Sequence, residues 1–111
     1  MKIGILLHKS PEHQDAQTVK RLAESFADTG HEVDIFLMED GVFNAVINHS
    51  PRGLSAGFDK LLSKGVKISL CTFTTEIRGL NRDNFLKGIN FHSQYDLSKL
   101  VSECDRFLSF V

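Results

Sequence analysis

Ile3-Gly4-Ile5-Leu6-Leu7, a helix-patterned segment after it, and Val33-Asp34-Ile35-Phe36-Leu37-Met38 fill the first third of the chain and decide its fold. The first run is almost continuously apolar, as expected of a strand buried on both faces of a parallel sheet. Between the two runs, Ala16, Val19, Leu22, Ala23, Phe26 and Ala27 recur at spacings of three and four and form one apolar helical stripe. Ser10-Pro11-Glu12 has the pattern of a helix start, with Ser10 as N-cap, Pro11 at the first helical position and an acid beside the positive end of the dipole. Gly30 stops the helix by accepting a left-handed conformation. Strand, helix and strand therefore follow one another within residues 3–38.

The alternation continues outward from this unit. Glu39-Asp40-Gly41 reads as a turn, Val42–Ile47 as a short helical piece, and Asn48–Gly53 as a loop broken by Pro51 and Gly53. Leu54, Phe58, Leu61 and Leu62 form a second stripe ending at Gly65, and Val66–Cys71 is a third strand. Thr72–Lys87 is polar and accommodates one or two short helices; Ile89-Asn90-Phe91 is a brief strand. Asp96 caps a last helix with Leu97, Leu100 and Val101 inward, and Arg106–Val111 is the final strand. Five strands alternating with helices predict a three-layer α/β/α sandwich with a five-stranded, mostly parallel sheet and right-handed crossovers, in a single domain over residues 1–111.

Composition fits that expectation. The 111 residues are 41% hydrophobic and 24% charged, and a chain of this size buries roughly two-thirds of its unfolded surface. The net charge of −1 gives no electrostatic footprint for nucleic acid or an anionic membrane. No apolar run approaches the length of a membrane span, and the short apolar start lacks a signal-peptide cleavage site. Two cysteines, Cys71 and Cys104, provide neither a disulfide framework nor metal-site spacing, so a reducing cytoplasm is the expected compartment. The histidines at 8, 13, 31, 49 and 92 lack the spacing of a helical zinc site, and His31, in a turn, is expected to be solvated. No Gly-rich phosphate loop follows the first strand and no Gly-x-Ser-x-Gly elbow occurs. Neither cofactor nor metal is expected.

In open parallel sheets, reactive groups gather beyond the carboxyl ends of the strands. That rule selects His8, the Glu39-Asp40-Gly41 turn and Cys71. A helix capped by Thr74 or Thr75 would aim free amides at the sulfur, and Arg78 turning back towards it would add positive charge; both favour thiolate. Position alone leaves a second reading open, because buried cysteines commonly act as inert small hydrophobes. Cys104, at the opposite rim, reads as core. Asp40 and Asn44 flank the second strand's exit, where turn and cap duties suit them as well as a site. The phenylalanines are core candidates, with Phe43 and Phe73 placed to serve a subunit interface instead.

The segment Val66-Lys67-Ile68-Ser69-Leu70-Cys71, followed after six residues by Arg78-Gly79-Leu80, resembles the signature of the DsrE/DsrF-like family, especially its TusD-type sulfur-relay members. Phe36–Ala45 resembles the family's strand-two exit and Glu103–Phe110 its final strand, so the likeness spans nearly the whole chain. The resemblance implies a five-stranded parallel sheet, a persulfide carried on Cys71, exchange with sulfur-donor and sulfur-acceptor proteins, and assembly as a trimer or hexamer. Many relatives have a second cysteine three residues after the first; here that position is Thr74, which excludes a Cys-x-x-Cys disulfide.

Two functions from different classes follow. One is a persulfide carrier with sulfurtransferase-like activity, with Cys71 and Arg78 as its working residues and His8, Thr72, Thr74, Thr75, Asp40 and Asn44 as pocket candidates. The other is a non-catalytic oligomeric binding module, favoured if Cys71 is sealed with no cleft at its sulfur. A nucleotide or small-molecule binder is weaker, given the missing phosphate loop.

Overall fold

A computed structural model of the chain describes residues 1–47 and 58–111. Its five strands, β1 (Lys2–Leu7), β2 (Glu32–Leu37), β3 (Lys67–Cys71), β4 (Asn90–His92) and β5 (Arg106–Phe110), lie in the order β4-β3-β2-β1-β5. All four pairings are parallel. Four α-helices connect them: α1 (Gln14–Asp28), α2 (Phe58–Ser63), α3 (Thr72–Ile77) and α4 (Gln94–Glu103). Short 3-10 turns at Glu39–Ala45 and Arg82–Asn84 complete the connections. The Asn48–Gly53 loop and Leu54 of the second stripe lie outside the described residues.

Strand periodicity sorts the core into two clusters. Ile3, Ile5 and Leu7 of β1, Val33, Ile35 and Leu37 of β2, and Ile68 and Leu70 of β3 face α1 and α2, meeting Ala16, Val19, Ala23, Phe58 and Leu61. Each fully buried large aliphatic here is worth about 1.5–3 kcal/mol of transfer free energy. The opposite face carries a smaller cluster, Phe36, Met38, Cys71 and Leu100, flanked by Leu6, Leu97, Cys104 and Phe107. Gly4 lets α4 approach there, because a Cβ would lie 2.9 Å from Phe107 and 3.2 Å from Leu100.

Several local expectations are corrected. Ser10 does not cap α1: the His13 amide donates to the Ser10 carbonyl at 3.0 Å, closing a turn with Pro11 at its second position. Pro suits that turn position as well as it suits a first helical turn. The Ser10 hydroxyl instead donates to the Glu12 carboxylate at 2.6 Å, and the helix begins at Gln14. The helical piece after β2 starts at Glu39, earlier than Val42, and takes in the expected turn. Ser93 rather than Asp96 caps α4; Asp96 sits at the third position and accepts from the Ser93 amide at 2.9 Å, completing a capping box. Val101 is 47% exposed, because Leu97, Leu100 and Cys104 already occupy the face towards the sheet. His31 is not simply solvated: its Nδ1 lies 3.1 Å from the Met1 amino nitrogen and its ring meets Phe26 edge-on.

Gly41 marks the tightest approach between the β1 and β2 exits. A Cβ there would collide with the Leu7 carbonyl oxygen and lie 3.3 Å from the His8 Cα. Backbone cannot swing aside as a side-chain tip can, so Gly41→Ala is expected to lower stability by about 1–3 kcal/mol. Urea denaturation checks this; an unchanged midpoint would show that the two exits are not packed in this way.

Candidate functional site

Cys71 ends β3 and is itself the N-cap of α3, so the helix begins at Thr72, before the Thr74 or Thr75 expected to cap it. Both threonines lie inside that six-residue helix, 5% and 3% exposed, and the Thr75 hydroxyl donates to the Thr72 carbonyl at 2.7 Å. Cys71 is only 1% exposed, yet it forms part of the wall of a pocket of about 390 Å³. Thr72, Phe73, Phe91, His92, Ser93, Gln94 and Asp96 complete that wall. The sulfur-bearing residue is therefore packed among apolar side chains on one side and borders a cleft on the other.

Of the pocket residues proposed from sequence, the structure brings only Thr72 to Cys71. The Arg78 guanidinium is committed to the exit of β2, donating to Asp40 at 3.0 and 3.2 Å and to Glu39 at 3.4 Å. This ion pair ties the end of α3 to the 3-10 turn. Glu39 is held there at φ +51°, the only non-glycine with positive φ among the described residues. Asn44, 1% exposed, donates its amide to the carbonyls of Lys9 at 2.8 Å and Gly41 at 2.9 Å, so it locks the β1 exit to the same turn. His8 is partly buried, and its amide extends the sheet by donating to the Phe110 carbonyl at 2.9 Å. His8, Asp40, Asn44, Thr74, Thr75 and Arg78 are not in the wall of the Cys71 pocket.

The residue missed is His92. It is the register partner of Cys71 across the β3–β4 ladder and borders the same pocket. The strand-end rule that selected Cys71 would also have selected it, had β4 been extended by one residue. Thr72 links the two strand ends, its hydroxyl donating to the His92 carbonyl at 3.1 Å.

Behind His92 a second cavity of about 310 Å³ runs between α4 and the sheet, bordered by Asp34, Ser69, His92, Asp96, Lys99 and others. Burial is the main influence on Asp34 and pushes its carboxyl above the usual range, against the attraction of Lys2 and Lys67. Asp96 shifts the other way, chiefly because the Ser93 amide donates to it. Among the described residues no group of His, Cys, Asp and Glu side chains is arranged to hold a metal ion, and no helix is long and apolar enough to cross a membrane.

An all-parallel five-stranded sheet with one thiol at the carboxyl end of β3, bordering a pocket, defines a class of small α/β protein. The chain belongs to the DsrE/DsrF-like family, whose sequence profile matches residues 1–110. That family is associated in general with sulfur relay. Among curated proteins, the uncharacterized protein MK0008 of Methanopyrus kandleri is 30% identical over 97% of this chain and 93% of its own length. The uncharacterized protein MJ0989 of Methanocaldococcus jannaschii is 26% identical over 99% of this chain and 100% of its own. Among solved structures, the ychN protein of E. coli superimposes with a TM-score of 0.85 at 22% identity, over 99% of both chains. BT1422 of Bacteroides thetaiotaomicron superimposes with a TM-score of 0.78 at 17% identity, covering 98% of this chain and 94% of that one. These two structures share the fold.

The raised Asp34 carboxyl carries a signed expectation. A carboxyl whose folded value lies above its unfolded value binds more protons when folded, so its ionisation opposes folding as pH rises through and beyond the unfolded value. Asp34→Asn is therefore expected to be more stable than the native chain near neutral pH, with the advantage shrinking as pH falls through the carboxylate range. Thermal melts across that range test it; an advantage that grows towards acid would contradict burial as the cause.

Proposed function

We propose that the protein is a persulfide sulfur carrier, a sulfurtransferase-like relay subunit of the TusD type, accepting and releasing sulfane sulfur through Cys71. The observation that carries this is the pocket at Cys71: the residue is packed firmly enough to fix its position, and open space of about 390 Å³ adjoins it. Membership of a family associated with sulfur relay supports the same chemistry.

In this mechanism the Cys71 thiolate attacks the outer sulfur of a donor persulfide, R–S–SH. A new S–S bond forms at Cys71 while the donor's S–S bond breaks, and the donor leaves as a thiolate. The reverse exchange onto an acceptor thiol completes the relay, with no external oxidant or reductant. With Thr74 in place of a second cysteine, the loaded persulfide meets no neighbouring thiol three residues on that would expel the sulfur as an internal disulfide. Arg78, Glu39 and Asp40 serve as a brace between the β2 exit and α3 rather than as reacting groups. The donor and acceptor are proteins, and assembly of several copies belongs to the same proposal. Phe73, 65% exposed beside the pocket, and Ile77, 66% exposed on the same helix, support a protein surface there.

The binding-module alternative draws support from one observation, the 1% exposure of Cys71. Intact mass after incubation with glutathione persulfide separates the two. The carrier gains one sulfur atom that a reducing thiol removes; Cys71→Ser gains none, and Cys104→Ser behaves as the native chain. Equal loading of Cys71→Ser would overturn the role of Cys71, and a folded native chain that gains nothing would favour the module.

A further inference from the structure

His92 occupies a position that neither the family match nor the proposed transfer assigns. It forms the last register pair of the β3–β4 ladder with Cys71, and partners on adjacent strands lie about 4.8 Å apart with side chains on the same face. Phe91, one residue earlier, packs into the α1–α2 side of the core, which leaves His92 to the α4 side with Cys71. Both border the 390 Å³ pocket. The Thr72 hydrogen bond to the His92 carbonyl anchors this strand end against the residue that follows Cys71.

On its other side His92 borders the 310 Å³ cavity. Two carboxylates from different elements border the same cavity, Asp34 of β2 and Asp96 of α4. The remaining charged groups there are Lys99 of α4 and, with them, Lys2 and Glu103. Lys2 is engaged with Glu103 at 3.8 Å and with Glu32 at 3.9 Å. Asp96 also borders the Cys71 pocket, so a thiol, an imidazole and a carboxylate meet along one wall, the set of groups with which an imidazole accepts and returns a proton.

We propose that His92 is the acid–base partner of Cys71, taking the thiol proton before sulfur transfer and returning it to the departing thiolate. The second half of this rests on the carrier role proposed above; the first half does not. The Cys71 S–H bond breaks as an N–H bond forms on the imidazole. After the thiolate has attacked R–S–SH, the leaving R–S⁻ takes that proton and becomes R–SH. The sum is one thiol and one persulfide exchanged for one persulfide and one thiol.

The test is the rate of Cys71 alkylation by iodoacetamide across neutral to alkaline pH, in full-length protein carrying Cys104→Ser. His92→Gln and His92→Asn are compared with that parent, and circular dichroism confirms folding. Near neutral pH the variants are expected to react roughly tenfold more slowly, with the gap closing at alkaline pH, where hydroxide removes the proton unaided. Identical profiles in the parent and a folded variant would overturn the pairing. Loading with glutathione persulfide is followed in parallel. If the parent loads nothing but the alkylation gap is present, the carrier role falls and the pair stands. If a variant loads at the parent's rate at every pH, the pair falls and the carrier stands.

Discussion

In a parallel sheet no strand reaches its neighbour by a tight turn, so every connection crosses a face and every strand delivers its carboxyl end to the same rim. Here that rim collects the β1 exit at His8, the β2 exit at Glu39, Cys71 and His92. The chain brings these groups together without any of them being close in sequence. Their mutual placement is set by strand register, which is backed by two buried faces. A slip of one residue in β3 would exchange Cys71 for Leu70 on the α4 side.

The two faces are unequal, and that inequality makes the site. Below α1 and α2 the strands present apolar side chains, packed into one large cluster. Towards α4 they present Asp34, Phe36, Ser69, Cys71 and His92, a mixture that α4 alone covers incompletely. One face holds the molecule together. The other combines a smaller buried cluster with polar groups and open space.

The strands were legible because a buried parallel strand leaves a dense apolar run that little else imitates; β1, β2 and β3 fall where those runs lie. Helix starts were less so, since Ser-Pro-Glu satisfies a turn and an N-cap with the same atoms, and only the tertiary course of residues 10–13 decides between them. Arg78 was expected to turn towards Cys71, but its partners Asp40 and Glu39 are distant in sequence, and a long side chain's direction is not written in local spacing. His92 escaped for a smaller reason. A three-residue strand carries so little pattern that an error of one residue at its boundary removes its final side chain from the rim.

Asp96 has two employments that meet in one carboxylate. It closes the capping box that starts α4, and it borders both cavities beside His92. A group that holds a helix terminus and also feels the charge of a binding cleft makes the two equilibria thermodynamically linked. Whatever occupies the cleft and alters its charge acts on the first turn of α4, and whatever frays that turn alters the cleft. The cap is therefore also a piece of the cleft wall, and one carboxylate ties the start of the helix over the thinner face of the sheet to the charge of the space beside it.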